Sequence, residues 1–391
     1  MPELFRAAQA APMNPALPPL LADAAVVVEG GDILDAGEFG HMRALHAGPV
    51  RDLGEVTLAP ATFNSHVHLE MSHLLGLTTQ GQGFVPWVKS LLAQPLYELD
   101  AARVRAELFR MEQKGVGFVA DISTRNAARA GALLASSGLG FVSFAEAIGS
   151  VVPPVAEDPA SLLPVVEEAA ACGRGAMSVA GHALYSTSGE LLQAAKALCR
   201  ERGLPFSLHL AEHADEDSIL LRGESPFLDL LIQRGYITGY TAPGKRPVPL
   251  ARDLGLLDAD TLLVHSVRVD GDDIADIAKS GGTVCLCPRS NEHIGVGRAP
   301  AMAFLRAGVN VCLGTDGLCS NADLNPYGEV AWLLEKEPSL GLAQALALVT
   351  LNPARFFGRT IPWAARLGSL AGGKLARFSI VPRDVLERSD H

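Results

Sequence analysis

The stretch VTLAPATFNSHVH (residues 56–68) decides the fold, because an apolar run of strand character ends directly in a His-x-His motif. Seven more β-branched or apolar runs follow it, and longer segments of helical pattern separate them. The strand candidates are residues 56–63, 117–121, 140–144, 176–181, 205–210, 261–264, 282–286 and 309–313. Eight strands alternating with helices over about 290 residues predict a (β/α)8 barrel. A doubly wound parallel sheet is the alternative.

Both ends of the chain lie outside this pattern and carry short strand signals separated by glycine turns. The first is AAVVVEGGDILDAG (residues 24–37) and the second is GSLAGGKLARFSIV (residues 368–381). We therefore predict an α/β protein with a TIM-like barrel over residues 59–350. Residues 1–58 and 351–391 are predicted to form one small β-sandwich-like domain, and the second part includes a C-terminal helix.

The composition excludes several classes of function. The chain has 391 residues and a net charge of −11, which argues against nucleic-acid or anionic-membrane surfaces because these need clustered basic residues. No apolar stretch approaches the roughly 18 to 20 residues of a membrane span. The N-terminal sequence lacks the apolar block of a secretory signal. We expect a cytoplasmic protein whose six scattered cysteines are reduced and mostly buried.

Histidines and acids fall at the ends of the predicted strands. His66 and His68 follow the first strand, His209 ends the fifth, and Asp316 follows the eighth. Residues two apart on a strand face the same side, and the carboxyl ends of barrel strands converge. Taken alone, His-x-His is often a surface accident and a strand histidine is usually a core residue. Together, three imidazoles and one carboxylate predict a site for one divalent ion, Zn²⁺ or Fe²⁺.

Several motifs in this order give the chain a family resemblance. They are SHVHLE, GHALYSTS, HLAEH, VHSV, CPRSN with GVGRAP, GTDGLCSN, TLNPARFFG and GSLAGGKLA, spread over residues 55–381. The sequence resembles the amidohydrolase superfamily, in its mononuclear-metal branch of nucleobase and nucleoside deaminases and chlorohydrolases. Binuclear members use a carboxylated lysine at the end of strand four. Here Gly181 and His182 stand there, which favours one metal.

The resemblance implies a hydrolytic deamination. A divalent ion lowers the pKa of bound water from near 15.7 toward about 7, so a hydroxide nucleophile is available at neutral pH. By resemblance, Asp316 binds the metal and accepts the water proton, and Glu212 carries protons to a ring nitrogen and to the leaving amine. His265 is expected to orient the nucleophile. The alternative for Glu212 is a carboxylate that only stabilises a helix N-terminus.

The substrate contacts are predicted from the same motifs. His182 and Tyr185 match a segment that lines the base or sugar site in adenosine-type deaminases, and Glu146 is a candidate acceptor for ribose hydroxyls. Packing and ion pairing are the alternative roles. The segment after strand one, with Glu70 and Trp87, resembles that of aminodeoxyfutalosine deaminases.

Such a substrate is an adenine nucleoside with an acyl-benzoate arm in place of the 5′ group. Its carboxylate needs a cation, for which we select Arg289, with Arg125 and Arg222 as alternatives.

The predicted function is a metal-dependent aminohydrolase acting on 6-amino-6-deoxyfutalosine in menaquinone biosynthesis. Deaminases of S-adenosylhomocysteine, methylthioadenosine or guanine are the alternatives, followed by a chlorotriazine-type hydrolase. A noncatalytic metal-binding barrel is the alternative outside this class. The expected partner is a small-molecule substrate, with no nucleic acid and no membrane, and a homodimer is possible.

Overall fold

The computed structural model describes residues 1–149, 167–168, 171–235, 237 and 240–388. The strands are β1 (Glu3–Ala10), β2 (Leu21–Glu29), β3 (Asp32–Glu38), β4 (Val50–Asp52), β5 (Thr57–Pro60), β6 (Thr62–Val67), β7 (Val116–Ser123), β8 (Gly140–Ala147), β9 (Gly175–Ala183), β10 (Phe206–Leu210), β11 (Thr261–His265), β12 (Thr283–Leu286), β13 (Asn310–Leu313) and β14 (Phe378–Ile380).

The helices are α1 (Phe39–Leu45), α2 (Phe84–Leu91), α3 (Ala101–Gln113), α4 (Ala127–Ala135), α5 (Gly189–Arg202), α6 (Ala214–Arg222), α7 (Pro226–Gln233), α8 (Pro247–Asp253), α9 (Gly271–Ser280), α10 (Pro288–Ile294), α11 (Ala301–Arg306), α12 (Pro326–Lys336), α13 (Leu342–Ala347), α14 (Leu351–Phe357), α15 (Pro362–Ala365) and α16 (Arg383–Arg388). A 3-10 helix over Leu69–Leu74 follows β6. Among the described residues, no helix is both long enough and apolar enough to cross a membrane.

Strands β6 to β13 form a nearly closed parallel barrel in sequence order, which confirms the predicted (β/α)8 fold. The seam between the first and last strands is closed by specific hydrogen bonds. The Asp316 N–H donates to the carbonyl of His66 at 3.0 Å. The Asn64 side chain donates to Thr315 Oγ1 at 2.7 Å and accepts from the Thr315 N–H at 3.1 Å. The seam therefore ties the His-x-His strand to the strand that carries Asp316.

Gly314 is required at this seam. A Cβ atom at this position would lie 2.6 Å from Cβ of His66 and 2.7 Å from its backbone nitrogen. Contacts this short do not occur between real atoms, so any other residue would push the two strands apart. Any substitution at Gly314 would thus displace His66.

The small domain is a mixed sheet built from both ends of the chain, as predicted. Its strand order is β14-β5-β1-β2-β3, and β4 pairs with β1. Strands β2 and β3 form a hairpin whose turn residues Gly30 and Gly31 have φ values of 62° and 89°. Two consecutive positive φ values favour glycine, which accounts for the GG signal in the sequence.

The structure differs from the predicted strands in three places. The run at residues 56–63 is two strands, because β5 pairs in the small sheet and β6 begins the barrel. Both strands are fully buried, so the apolar pattern does not reveal the change of sheet at Ala61. Strand β1 is not among the predicted strands, and its burial alternates only weakly. Within residues 368–381, all of which the structure describes, only β14 is a strand.

Candidate active site

The predicted metal ligands lie together at the carboxyl ends of the barrel strands. His66 lies at the end of β6 and His68 just follows it, His209 lies on β10, and Asp316 follows β13. The backbones of His265, at the end of β11, and Asp316 have φ values of 72° and 59°. Such conformations cost energy in residues other than glycine, so the surrounding structure must hold these two side chains in place.

The distances among the donor atoms suit a metal ion. Asp316 Oδ1 lies 3.6 Å from Nε2 of His66 and 3.5 Å from Nε2 of His68. The His209 ring is 5.0 Å from the His66 ring, and His66, His209 and His265 each offer a nitrogen within 4.8 Å of the others. Ligands held tetrahedrally at about 2.1 Å from Zn²⁺ are about 3.4 Å apart. These side chains therefore fit a single divalent ion.

The hydrogen bonding of the imidazoles supports the same conclusion. His66 is fully buried, and neither of its ring nitrogens has a hydrogen-bond partner among the described residues. Buried polar atoms without partners are costly unless another group satisfies them. Nδ1 of His209 is bonded to the carbonyl of His182 at 3.0 Å, which leaves its Nε2 for a metal.

Two hydroxyl groups orient the Asp316 carboxylate. Ser290 Oγ and Ser320 Oγ donate to Oδ2 of Asp316 at 2.6 Å and 3.0 Å. Oδ1 is the oxygen near the two histidines of the His-x-His motif. The two serines therefore fix Oδ2 by hydrogen bonds, so that Oδ1 faces the predicted metal ligands.

The pKa values of the predicted ligands favour the protonation states that bind a metal cation. Burial lowers the pKa of His66, and burial together with the neighbouring histidines lowers the pKa of His209 well below its usual value. Burial acts to raise the pKa of Asp316, but the histidines around it outweigh this and hold it well below its ordinary value. Neutral imidazoles and an ionised carboxylate can bind a divalent ion without first losing protons.

Glu212 and His265 lie beside this cluster. Glu212 Oε1 is 3.7 Å from Nε2 of His265. Nδ1 of His265 is hydrogen-bonded to Oδ1 of Asn291 at 3.0 Å, and since that oxygen only accepts, Nδ1 carries the proton. Burial, with the carboxylates of Asp316 and Glu216, raises the pKa of Glu212 well above its usual value. Burial lowers the pKa of His265 to about 4. Glu212 can therefore serve as a proton donor beside a neutral imidazole.

One cavity brings together three of the four predicted ligands and most of the predicted substrate contacts. Its lining includes His68, Glu70, Trp87, Glu146, His182, Tyr185, His209, Glu212, His265 and Asp316. Helices α2 and α7 add apolar side chains, namely Phe84, Val88, Leu91, Phe227 and Leu231. The cavity therefore combines a polar region at the metal ligands with an apolar wall.

Glu146 has a free acceptor in this cavity. Its Oε2 accepts a hydrogen bond from Thr124 Oγ1 at 2.6 Å. Its Oε1 is buried without a hydrogen-bond partner among the described residues and lies 3.4 Å from Nδ1 of His209. His182 is bonded through Nδ1 to the Ser186 hydroxyl, and its ring lies 6.0 Å from that of Tyr185. This oxygen of Glu146 can accept a hydrogen bond from a hydroxyl group of a ligand.

Glu70 lines the cavity, but its carboxylate already has several donors. Oε1 accepts from the Thr124 N–H at 2.8 Å. Oε2 accepts from the backbone N–H groups of Arg125 and Asn126 at 3.1 Å and 2.9 Å. These bonds hold the loop after β7 at the start of α4. Glu70 thus shapes the cavity wall by fixing that loop.

The structure does not bring Arg289 to the cavity. Its guanidinium donates to Asp323 Oδ1 at 2.9 Å and lies 3.6 Å from Glu329 Oε1, and Arg289 is not among the lining residues. Arg125 does line the cavity, and its guanidinium carbon lies 4.2 Å from the ring centroid of Tyr97. Of these candidate cations, Arg125 therefore lies at the cavity and Arg289 does not, and a contact with a substrate carboxylate stays a prediction.

The segment after β6 is attached to the end of helix α10 and to the loop after β13. Trp87 Nε1 donates to the Cys319 carbonyl at 3.2 Å, and the Thr78 hydroxyl donates to the same oxygen. The N–H groups of Gly81 and Gly83 donate to the carbonyls of His293 and Ile294 at 2.6 Å and 2.9 Å. These bonds place the Trp87 indole over the cavity.

Sequence reasoning did not assign the residues that support the site. Ser290 and Asn291 lie in CPRSN and Ser320 lies in GTDGLCSN, but these motifs assign no role to the three side chains. Thr124 and Glu216 lie outside the quoted motifs. Their hydrogen bonds depend on the tertiary fold, so only the structure identifies them.

Comparisons with known proteins identify relatives in sequence and in fold. The amidohydrolase family profile matches residues 57–388. An aminodeoxyfutalosine deaminase of Deinococcus radiodurans is 28% identical over 350 residues, covering 87% of this chain and 83% of that protein. A 5-methylthioadenosine/S-adenosylhomocysteine deaminase of Nitratidesulfovibrio vulgaris is 31% identical over 325 residues, covering 80% and 67%. The crystal structure of Helicobacter pylori aminofutalosine deaminase with methylthio-coformycin superposes with a TM-score of 0.83 at 21% identity, covering 100% and 96%.

Proposed function

Since the chain belongs to the amidohydrolase family, we propose that it hydrolytically deaminates an adenine nucleoside, and that this nucleoside is 6-amino-6-deoxyfutalosine of menaquinone biosynthesis. The observation that carries the proposal is the position of Glu212. It is 6% exposed, lines the cavity and lies next to a set of side chains that fits one divalent ion. A metal-storage or scaffold protein has no need of a buried proton donor at that point.

We propose His66, His68, His209 and Asp316 as the metal ligands, with Zn²⁺ or Fe²⁺ as the ion. When bound, such an ion supplies an activated water by lowering its pKa. The carboxyl group of Glu212 donates a proton to the ring nitrogen next to the amino-bearing carbon. Water adds to that carbon as Asp316 accepts one of its protons. This proton passes to the amino group, whose bond to the carbon breaks so that ammonia leaves, and the remaining hydroxyl proton returns to Glu212. His265 holds its Nε2 toward the reacting atoms.

The rest of the cavity supports a nucleoside with an extended 5′ group. Glu146 Oε1 offers an acceptor for ribose hydroxyls, and His182 and Tyr185 border the space for the base. Phe84, Trp87 and the apolar residues of α7 provide a wall for an aromatic arm. A free carboxylate on that arm would be paired by Arg125.

A deaminase of methylthioadenosine or S-adenosylhomocysteine is the second candidate, because a relative of that name is 31% identical. Ammonia release from a panel of 6-amino-6-deoxyfutalosine, 5′-methylthioadenosine, S-adenosylhomocysteine, adenosine, guanine and an aminotriazine separates the candidates. We expect the highest kcat/KM with 6-amino-6-deoxyfutalosine. An inert futalosine analogue together with turnover of another compound would overturn the substrate assignment and leave the deaminase class intact.

Arg125→Ala tests the arm subsite. A charge-assisted hydrogen bond lost from a binding site costs about 1.5–3 kcal/mol, so we expect kcat/KM for 6-amino-6-deoxyfutalosine to fall about 10- to 100-fold. The value for 5′-methylthioadenosine, which has no carboxylate, should change by less than about threefold on the same grounds. Arg222→Ala is the matched control, because Arg222 is exposed and does not line the cavity. An equal loss with both substrates would contradict a carboxylate contact.

A further inference from the structure

We propose that Glu216 is a positioning residue for the deamination, and that its carboxyl group holds the turn that directs Glu212 into the cavity. This inference rests on the role proposed for Glu212. Glu216 lies in the first turn of α6, four residues after Glu212, and does not line the cavity. It therefore acts on the reaction through Glu212 and not by touching the substrate.

The contacts of Glu216 are to the backbone of the catalytic turn. The Glu212 N–H donates to Oε2 of Glu216 at 2.9 Å, and the Ala211 N–H faces the same carboxyl group closely enough to favour its charged form. Ala211 has a φ of 53°, in the left-handed region that alanine rarely adopts. Two N–H groups of a strained turn are thus held by one side chain.

The same turn is held from its other side. The Ala211 carbonyl accepts a hydrogen bond from the Arg268 N–H at 2.7 Å, and the Leu210 carbonyl accepts from the Ser266 N–H at 2.9 Å. These bonds join the loop that carries Glu212 to the loop after His265. Glu216 completes this arrangement, because it bonds the N–H groups of the turn while the neighbouring loop bonds its carbonyls.

An ordinary helix cap does not account for these contacts. Glutamate at the third helical position commonly reaches back to the N–H of the N-cap residue. In α6 the N-cap is His213, whose Nδ1 accepts from the Glu216 N–H at 3.3 Å. The Glu216 carboxyl group instead reaches beyond His213 to Glu212 and Ala211, which lie outside the helix.

Burying this carboxyl group is costly, which points to a specific use. Glu216 is 1% exposed, its Oε1 has no hydrogen-bond partner, and no salt bridge reaches it within the described ranges. Burial raises its pKa to about 8. An apolar residue would avoid the burial cost but would leave the two backbone donors unsatisfied.

Two substitutions at Glu216 distinguish the effect of side-chain length from that of side-chain charge. Glu216→Gln keeps an oxygen at the same reach without the carboxylate, so we expect kcat within about threefold of wild type. Glu216→Asp keeps the carboxylate but is one methylene shorter, so we expect kcat to fall about 30-fold or more, because misplacement by about 1 Å can cost 100-fold. KM and the metal content per chain should change little in both, since neither the metal ligands nor the cavity lining is altered.

The control is Glu107→Gln, a buried glutamate on α3 that pairs with Arg103 and Arg110 outside the cavity. All proteins are assayed well below their melting temperatures. If Glu216→Asp is as active as Glu216→Gln, or if both keep the wild-type kcat while Glu212→Gln is inactive, the positioning role is overturned. If Glu212→Gln itself remains active, the proposed role of Glu212 fails instead, so the two failures are distinguishable.

Discussion

Glu212→Gln should lower kcat by about 1000-fold while the metal content stays at that of the wild type. General acid–base groups contribute about 10² to 10⁴ in rate, and glutamine has nearly the same shape but no transferable carboxyl proton. Burial raises the pKa of Glu212 well above its usual value, which favours the protonated form that can donate. The measurements are steady-state ammonia release and metal analysis of the same preparation.

Two outcomes would contradict this assignment of Glu212. Loss of the metal in Glu212→Gln would identify Glu212 as a ligand, and retained activity would show that another group moves the proton. Glu107→Gln is the matched control, since it removes a buried carboxylate far from the cavity lining. We expect that variant to keep the wild-type kcat.

Removing the metal should abolish deamination. We expect the isolated protein to hold one divalent ion per chain, activity to fall below about 1% after dialysis against a chelator, and Zn²⁺ or Fe²⁺ to restore it. The melting temperature should fall at the same time, because an ion bound only by the folded chain stabilises it. Ligands come from β6, β10 and the loop after β13, so the ion would join distant strands.

His68→Ala tests the ligand set directly. We expect this variant to lose the ion and to remain inactive at metal concentrations that restore the chelated wild type. His41→Ala is the control, because His41 is an exposed histidine on α1 of the small domain. Full activity of metal-free wild type would contradict the metal requirement, and normal metal affinity of His68→Ala would remove it from the ligand set.

The ends of the strands were predictable because two local patterns coincide there. The alternation of strands and helices identified the barrel, and the polar residues that interrupt each apolar run marked its carboxyl end. His66 and His68 are two apart, His209 and His265 lie near the ends of β10 and β11, and Asp316 follows β13, so the barrel topology alone brings them together. The barrel and the sheet shared by both termini are confirmed, and the assigned roles stay predictions.

The charged residues around the cavity were less predictable. Arg289 lies within the CPRSN motif, but it pairs with Asp323 and Glu329, whereas Arg125, in the loop between β7 and α4, reaches the cavity. A long side chain such as that of arginine can extend in several directions. The packing of distant helices determines which carboxylate it pairs with. The position of an arginine in the sequence therefore does not indicate where its guanidinium group lies in the fold.

The sequence by itself determined which groups can bind a metal and which fold presents them, since these follow from side-chain chemistry and from periodicity along the chain. Only the tertiary structure decided which side chains form hydrogen bonds with these groups. Ser290 orients Asp316 from 26 residues away, and Asn64 pairs with Thr315 across 251 residues. Glu216 lies close in sequence to Glu212, yet its contact depends on a left-handed turn at Ala211. A hydrogen bond requires atoms about 3 Å apart, and the complete fold sets that distance.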